Sequence, residues 1–173
     1  MDEIIKEFKS ESEGLVQHLL AILEEAEGDF SKVRSLDTYG QIVDRIMGSS
    51  QTIAVMNPDQ TTVATIGKYA ELCKSIGYMG SQIQNNIELY NVTVGILLDG
   101  TEMLEQMLNS LDDKNNKTVD DFMTDRFLER LVWLAGQFDG SYRASLSTEK
   151  RSDSEMVGSQ SEIDALIAHF SKA

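Results

Sequence analysis

Apolar residues recur at three- and four-residue steps along nearly the whole chain, which is the period of a helix and not of a strand. Ile4, Ile5, Phe8, Leu15, Leu19, Leu20, Ile22 and Leu23 share one side of a first helix over about residues 2–26, broken by Gly28-Asp29. A second helix runs from about Ser31 to Val55 and stops before Asn57-Pro58. Asn57 suits an N-cap, Pro58 the first helical position and Gln60 the third, so the spacing predicts a third helix from Pro58 to about Tyr78. A fourth extends from about Ile83 to Leu111, with Gly77 and Gly80 marking the junction, unless the two are one long interrupted helix. Asp112 to Lys117 form a polar turn. A fifth helix over about 118–139 carries Phe122, Phe127, Leu128, Leu131, Trp133 and Leu134. The expected fold is all-α: a bundle of about five helices in residues 1–140.

The pattern changes after Gly140. Residues 141–158 are rich in serine and charge and poor in core residues, as expected of a flexible linker. The linker leads to a short amphipathic segment within 159–173, where Ser161 can cap and Glu162 and Asp164 suit a first turn. Ile163, Leu166, Ile167 and Phe170 make one apolar stripe. A helix this short is marginal alone, so it needs a groove, on a partner or on its own bundle.

Composition narrows the classes. The 173-residue chain carries 29 Asp and Glu against 15 Lys and Arg, a formal net charge of -14. Such a surface repels nucleic acid. The single cysteine, Cys73, forms no intramolecular disulfide and fits a reducing compartment. An acidic N-terminus does not look like a secretory signal, and no apolar run approaches the roughly 18 residues of a membrane span. The expectation is a cytoplasmic protein with no membrane or nucleic-acid partner. Neither His18, His169 nor Cys73 belongs to a cluster with metal-ligand spacing, and no phosphate-binding glycine loop is present. Cys73 and the methionines Met47, Met56, Met79, Met103, Met107 and Met123 fit core packing.

The second helix carries the candidate chemistry. With about 100° per residue, Asp37, Gln41, Asp44 and Gly48 lie within roughly 40° of one line. Ile42, Val43, Ile46 and Ile53, with Tyr39, lie on the opposite side. Gly40 and Gly48 add no bulk, so the stripe is expected to let a partner's surface approach closely. A carboxamide fixed on such a surface can donate to and accept from one water, and an acid one turn earlier can pair with a cation. Glu102 and Gln106 repeat the acid–amide spacing without the flanking pattern and fit a solvated face.

Residues 37–47 (DTYGQIVDRIM) resemble the catalytic segment D-x-T-G-Q-V-I-x-R-M-M of the CheZ family, phosphatases of the phosphorylated chemotaxis receiver CheY. Gly40 and Arg45 match, and Ile42, Val43 and Met47 match in kind. The resemblance implies that Gln41 positions the attacking water and Asp37 pairs with the receiver's active-site lysine. Gly40, Asp44, Arg45 and Gly48 would then meet the receiver, and Mg²⁺ would come from the receiver, with no cofactor of the protein's own.

The C-terminal string SQSEIDALI is similar to the SQxEIDALL peptide of the flagellar switch protein FliM and to the SQxxVDxLL peptide ending CheZ, both of which bind CheY. It implies that Ser159, Gln160, Glu162, Ile163, Asp164, Leu166 and Ile167 contact the receiver. In CheZ the catalytic segment lies past the middle of the chain, on a long hairpin that dimerises into a four-helix bundle. Here it lies in the first quarter, so the family topology does not transfer, and a homodimer is left open. Val43 to Ser49 also resemble the A-H-x-L-K-G-S motif of histidine phosphotransfer domains, with Asp44 in place of the histidine and Met47 in place of the lysine. That likeness implies a receiver-binding scaffold without activity. A motor or adaptor component that recruits CheY through its tail is the third reading.

Overall fold

The computed structural model describes residues 3–112, 121–142 and 159–171. Among the described residues six α-helices follow one another: α1 (Glu3–Ala26), α2 (Ser35–Met56), α3 (Thr61–Gly80), α4 (Ile87–Asn109), α5 (Asp125–Gln137) and α6 (Ser159–Ser171). Short 3₁₀ turns, Phe30–Lys32 and Ser110–Asp112, precede α2 and extend α4. No strand occurs among the described residues. The fold is the all-α bundle that the periodicity predicts.

Each of α1 and α3 packs on both α2 and α4, closing a four-helix ring around one apolar core. Three fully buried tyrosines cross it. Burial requires each hydroxyl to find a partner. Tyr39 meets the Thr101 hydroxyl at 2.9 Å, Tyr69 donates to the Gly100 carbonyl at 2.8 Å, and Tyr90 donates to the Ala26 carbonyl at 2.6 Å. Tyr90 thereby ties α4 to the corner between α1 and α2. The α5 helix lies on α4, and α6 packs against α3 and α5.

The structure moves several expected boundaries. Asn57 ends α2, its N–H donating to the Ile53 carbonyl, and its own carbonyl accepts from Gln60 N at 3.0 Å. Pro58 therefore occupies the second position of a β-turn, and α3 begins only at Thr61. Gly77 lies inside α3, but Gly80 is its last residue, so the break follows the two glycines directly. A side chain at either would collide with a neighbour: a Cβ on Gly77 would stand 2.7 Å from Tyr39 Cδ1. After the break Asn86 caps α4 by accepting from Leu89 N at 3.0 Å.

The fifth helix starts at Asp125, capped by Thr124, so Phe122 precedes it. Phe127, Leu131 and Leu134 enter the core, but Trp133 stays 47% exposed and Ile4 42%. Met79, Met107 and Met123 are buried as expected, whereas Met56 is exposed at the end of α2. Most of the expected polar turn, residues 113–117, and of the linker, 143–158, lies outside the described residues. No described helix is long and apolar enough to cross a membrane.

Candidate functional site

Position 37 falls in the first turn of α2, where a carboxylate is favoured by the exposed N–H groups of the helix start. One turn on, Gln41 is exposed and its Nε2 donates to Asp37 Oδ2 at 3.1 Å. The pair is therefore formed within one rigid helix and presented outward. Asp37 itself is half-buried, and its second oxygen, Oδ1, is enclosed with no hydrogen-bond partner. An enclosed carboxylate oxygen without a donor is rare and unfavourable. This one stands next to an amide already committed to its twin.

The wall behind the pair comes from α3. Tyr78 is buried at 6% exposure, and its ring lies flat enough on α2 that a Cβ on Gly40 would sit 2.9 Å from two ring carbons. Gly40 is accordingly buried, and the expectation that it opens the stripe to a partner is corrected: the missing side chain admits a tyrosine of the same chain. The contact is reciprocal, since Tyr39 fills the space left by Gly77 on α3. Burial, then the carboxylates of Asp44 and Asp37, push the Tyr78 hydroxyl up to about 12. It stays a neutral phenol between two acids.

The rest of the stripe is tied to neighbouring helices. Asp44 is exposed and accepts from Lys74 Nζ at 2.9 Å, while Arg45 points the other way and pairs with Glu11 of α1 at 3.0 Å. The Arg45–Glu11 pair is solvated on both sides and contributes under about 1 kcal/mol, mainly setting side-chain direction, whereas Lys74 is largely covered and only its Asp44 partner is exposed. Gly48 has open space where a Cβ would stand and lines a shallow groove with Ile4, Phe8 and Thr52. Of the expected stripe, the structure thus brings Asp37, Gln41 and Asp44 to one surface and leaves Gly48 at its far end.

Sequence reasoning missed Tyr78 and Lys74, because nothing in a single sequence pairs residues from antiparallel helices. Small-to-large complementarity between Tyr39-Gly40 and Gly77-Tyr78 is the signal that could have aligned them. It also missed Arg34, exposed just before α2, with no partner among the described residues.

The expected receiver peptide is helical, although α6 starts at Ser159, so Ser161 lies inside the helix and does not cap it. Ser159, Gln160, Glu162 and Ile163 belong to this helix. Asp164 is exposed, and Leu166 and Ile167 are buried at 5% and 4%. Of the two grooves left open by the sequence, the helix occupies one on its own chain.

Cys73 is buried, and burial raises its thiol to about 12, so it is a core residue and not a nucleophile. Among the described residues no group of three or more His, Cys, Asp or Glu side chains is gathered as for a metal. Comparison with protein-family models, with curated proteins and with solved structures gives no match. Fold and site together define a class: a single-chain helical bundle that presents an acid–amide pair on the outer face of one helix.

Proposed function

We propose that this protein binds a phosphorylated CheY-type receiver and promotes hydrolysis of its aspartyl phosphate. The observation that carries the reading is the Gln41–Asp37 pair, held at 3.1 Å on the exposed face of α2 with one Asp37 oxygen unpartnered. Because Oδ1 is enclosed, an incoming lysine would supply the donor that Asp37 lacks only as the carboxylate turns outward to meet it. Its arrival would draw the carboxylate away from Gln41 and release the amide to hold a water. The water attacks phosphorus in line, and the bond from phosphorus to the receiver's aspartate breaks. Phosphate and a free carboxylate result.

The chain's part in this is positional and electrostatic. The receiver brings its own Mg²⁺ and carboxylates. Tyr78 and Gly40 keep the backbone of α2 in place beneath the pair. In CheZ the four helices come from two chains; here one chain closes the ring, so the site needs no second copy to be supported.

Phosphate release from phosphorylated CheY, measured for wild type and Gln41→Ala, tests the reading. Acceleration by wild type and its loss in the variant, with receiver binding retained, is the expected result. Binding without acceleration in both would favour the scaffold reading instead. That reading has one observation of its own: Asp44, on the frame of a phosphotransfer histidine, is exposed on the same helix.

A further inference from the structure

The α3 helix is covered on three sides, and the third covering is α6. Toward α2 it presents Gly77 against Tyr39, and toward α4 it presents Gly80 against Thr93. Leu72, Ser75 and Met79, at i, i+3 and i+7, lie on a line turned away from both, yet they are 1%, 2% and 0% exposed. A four-helix ring alone would leave that line in solvent. Among the described helices, the one that packs on α3 besides α2 and α4 is α6, which in turn rests on α5.

We infer that this face of α3, with α5, is a docking groove for the chain's own C-terminal helix, and that groove and receiver compete for the same two side chains. The inference rests on the receiver reading above for the identity of the competitor. In α6 only Leu166 and Ile167 are buried among the side chains described, while Asp164, Ala165, Ala168 and His169 face outward. A helix of this length has one apolar stripe and can turn it to one surface at a time. Those two residues stand where the receiver-binding string places its apolar contacts. A receiver that takes them must lift α6 from α3.

The consequence is quantitative. If the tail is docked about nine-tenths of the time, capture of the receiver is weakened about tenfold relative to a free tail. The groove also adjoins the candidate site: Ser75 and Met79 each follow by one residue the α3 side chains, Lys74 and Tyr78, that contact Asp44 and Gly40. Docked, the tail lies one helix face away from Gln41. Lifted, it uncovers apolar surface there.

Ser75→Lys is the variant of choice, because Ser75 is buried on the line turned away from α2 and α4, and a lysine there pushes α6 away. Amide exchange of the full chain without receiver is expected to show residues 159–171 protected in wild type and exchanging freely in Ser75→Lys. Fast exchange of that segment in wild type would overturn the groove. Ile167→Asp should give the same loss from the tail side and cannot unfold the ring, so the groove stays testable if Ser75→Lys folds poorly. Binding of CheY carrying beryllium fluoride, a phosphoryl analogue, is then expected to be several-fold to about tenfold tighter for Ser75→Lys than for wild type. Equal affinities, with the tail of the variant exchanging freely, would refute the competition. No binding to either chain, nor to a peptide of residues 159–173, would overturn the receiver reading and the competition together, while the exchange data still decide the groove.

Discussion

The α2–α3 hairpin and the α5–α6 layer are both helical, but they are held by different means. Between α2 and α3 the backbones approach so closely that Tyr39 lies where a Gly77 side chain would be and Tyr78 where a Gly40 side chain would be. Among the described residues the outer layer shows no such interlock. Of the α6 side chains described, the buried ones are two aliphatic residues, Leu166 and Ile167. Reciprocal aromatic-into-glycine packing permits one register only, whereas two leucine-like contacts can be exchanged for equivalent ones elsewhere. The acid–amide pair sits on the part that cannot shift, and the receiver-like string on the part that can.

The comparison can be broken most sharply at Gln41. Gln41→Ala should lower stimulated phosphate release by about 10²-fold or more, the usual effect of removing one positioned donor. Its melting temperature should stay within about a degree of wild type, because the amide is exposed and its one bond is to a neighbouring turn. A large drop in stability would mean that the pair serves the fold.

Next in size is Gly77→Ala. Its methyl would stand 2.7 Å from Tyr39 Cδ1 and 3.3 Å from the Leu36 carbonyl oxygen, so the buried Tyr39 ring must shift or the helices must move apart. Overpacking of this kind costs about 1–3 kcal/mol and should lower Tm by several degrees in thermal denaturation. An unchanged Tm would show that the hairpin is looser than its contacts imply.

Smaller again is the effect of Leu166→Ala on global stability. The outer layer is expected to come away before the ring unfolds, so the main Tm should move by less than about 2 °C, with only the exchange of α6 accelerated. A cooperative loss of the whole bundle would erase the distinction between the two regions.

The smallest effect is an expected absence of reaction. With its thiol raised to about 12, Cys73 has about one thiolate in ten thousand molecules at pH 8. Alkylation by iodoacetamide should be undetectable in the native chain and rapid after denaturation. The sign follows from burial, which disfavours the charged form, so what reactivity there is should rise about tenfold per pH unit up to the shifted value and level off above it.

Much of this was legible beforehand, and the misses share a cause. Helical periodicity gave the six-helix content, the extent of α1 and the outward placement of Gln41, because period and amphipathicity are properties of a segment by itself. Local capping rules placed Asn57 at the start of α3, but the same residue also closes α2, and the turn through Pro58 won. Gly40 misled for the same reason: it suggested an open surface, when it is a socket for a tyrosine on the other helix. Gly77, just before the break it marks, is the matching socket.

For the candidate site, the sequence by itself determined that Asp37 and Gln41 share a face one turn apart and that a segment within 159–173 can form a helix with one apolar stripe. Both follow from the rise and twist of a single helix. Only the tertiary structure decided that Tyr78 backs the site, that Lys74 and Glu11 hold Asp44 and Arg45 apart, and that α6 lies on its own bundle. Those facts depend on which helices become neighbours and in what register. That choice is made by the fit of side chains across an interface, which no single segment contains.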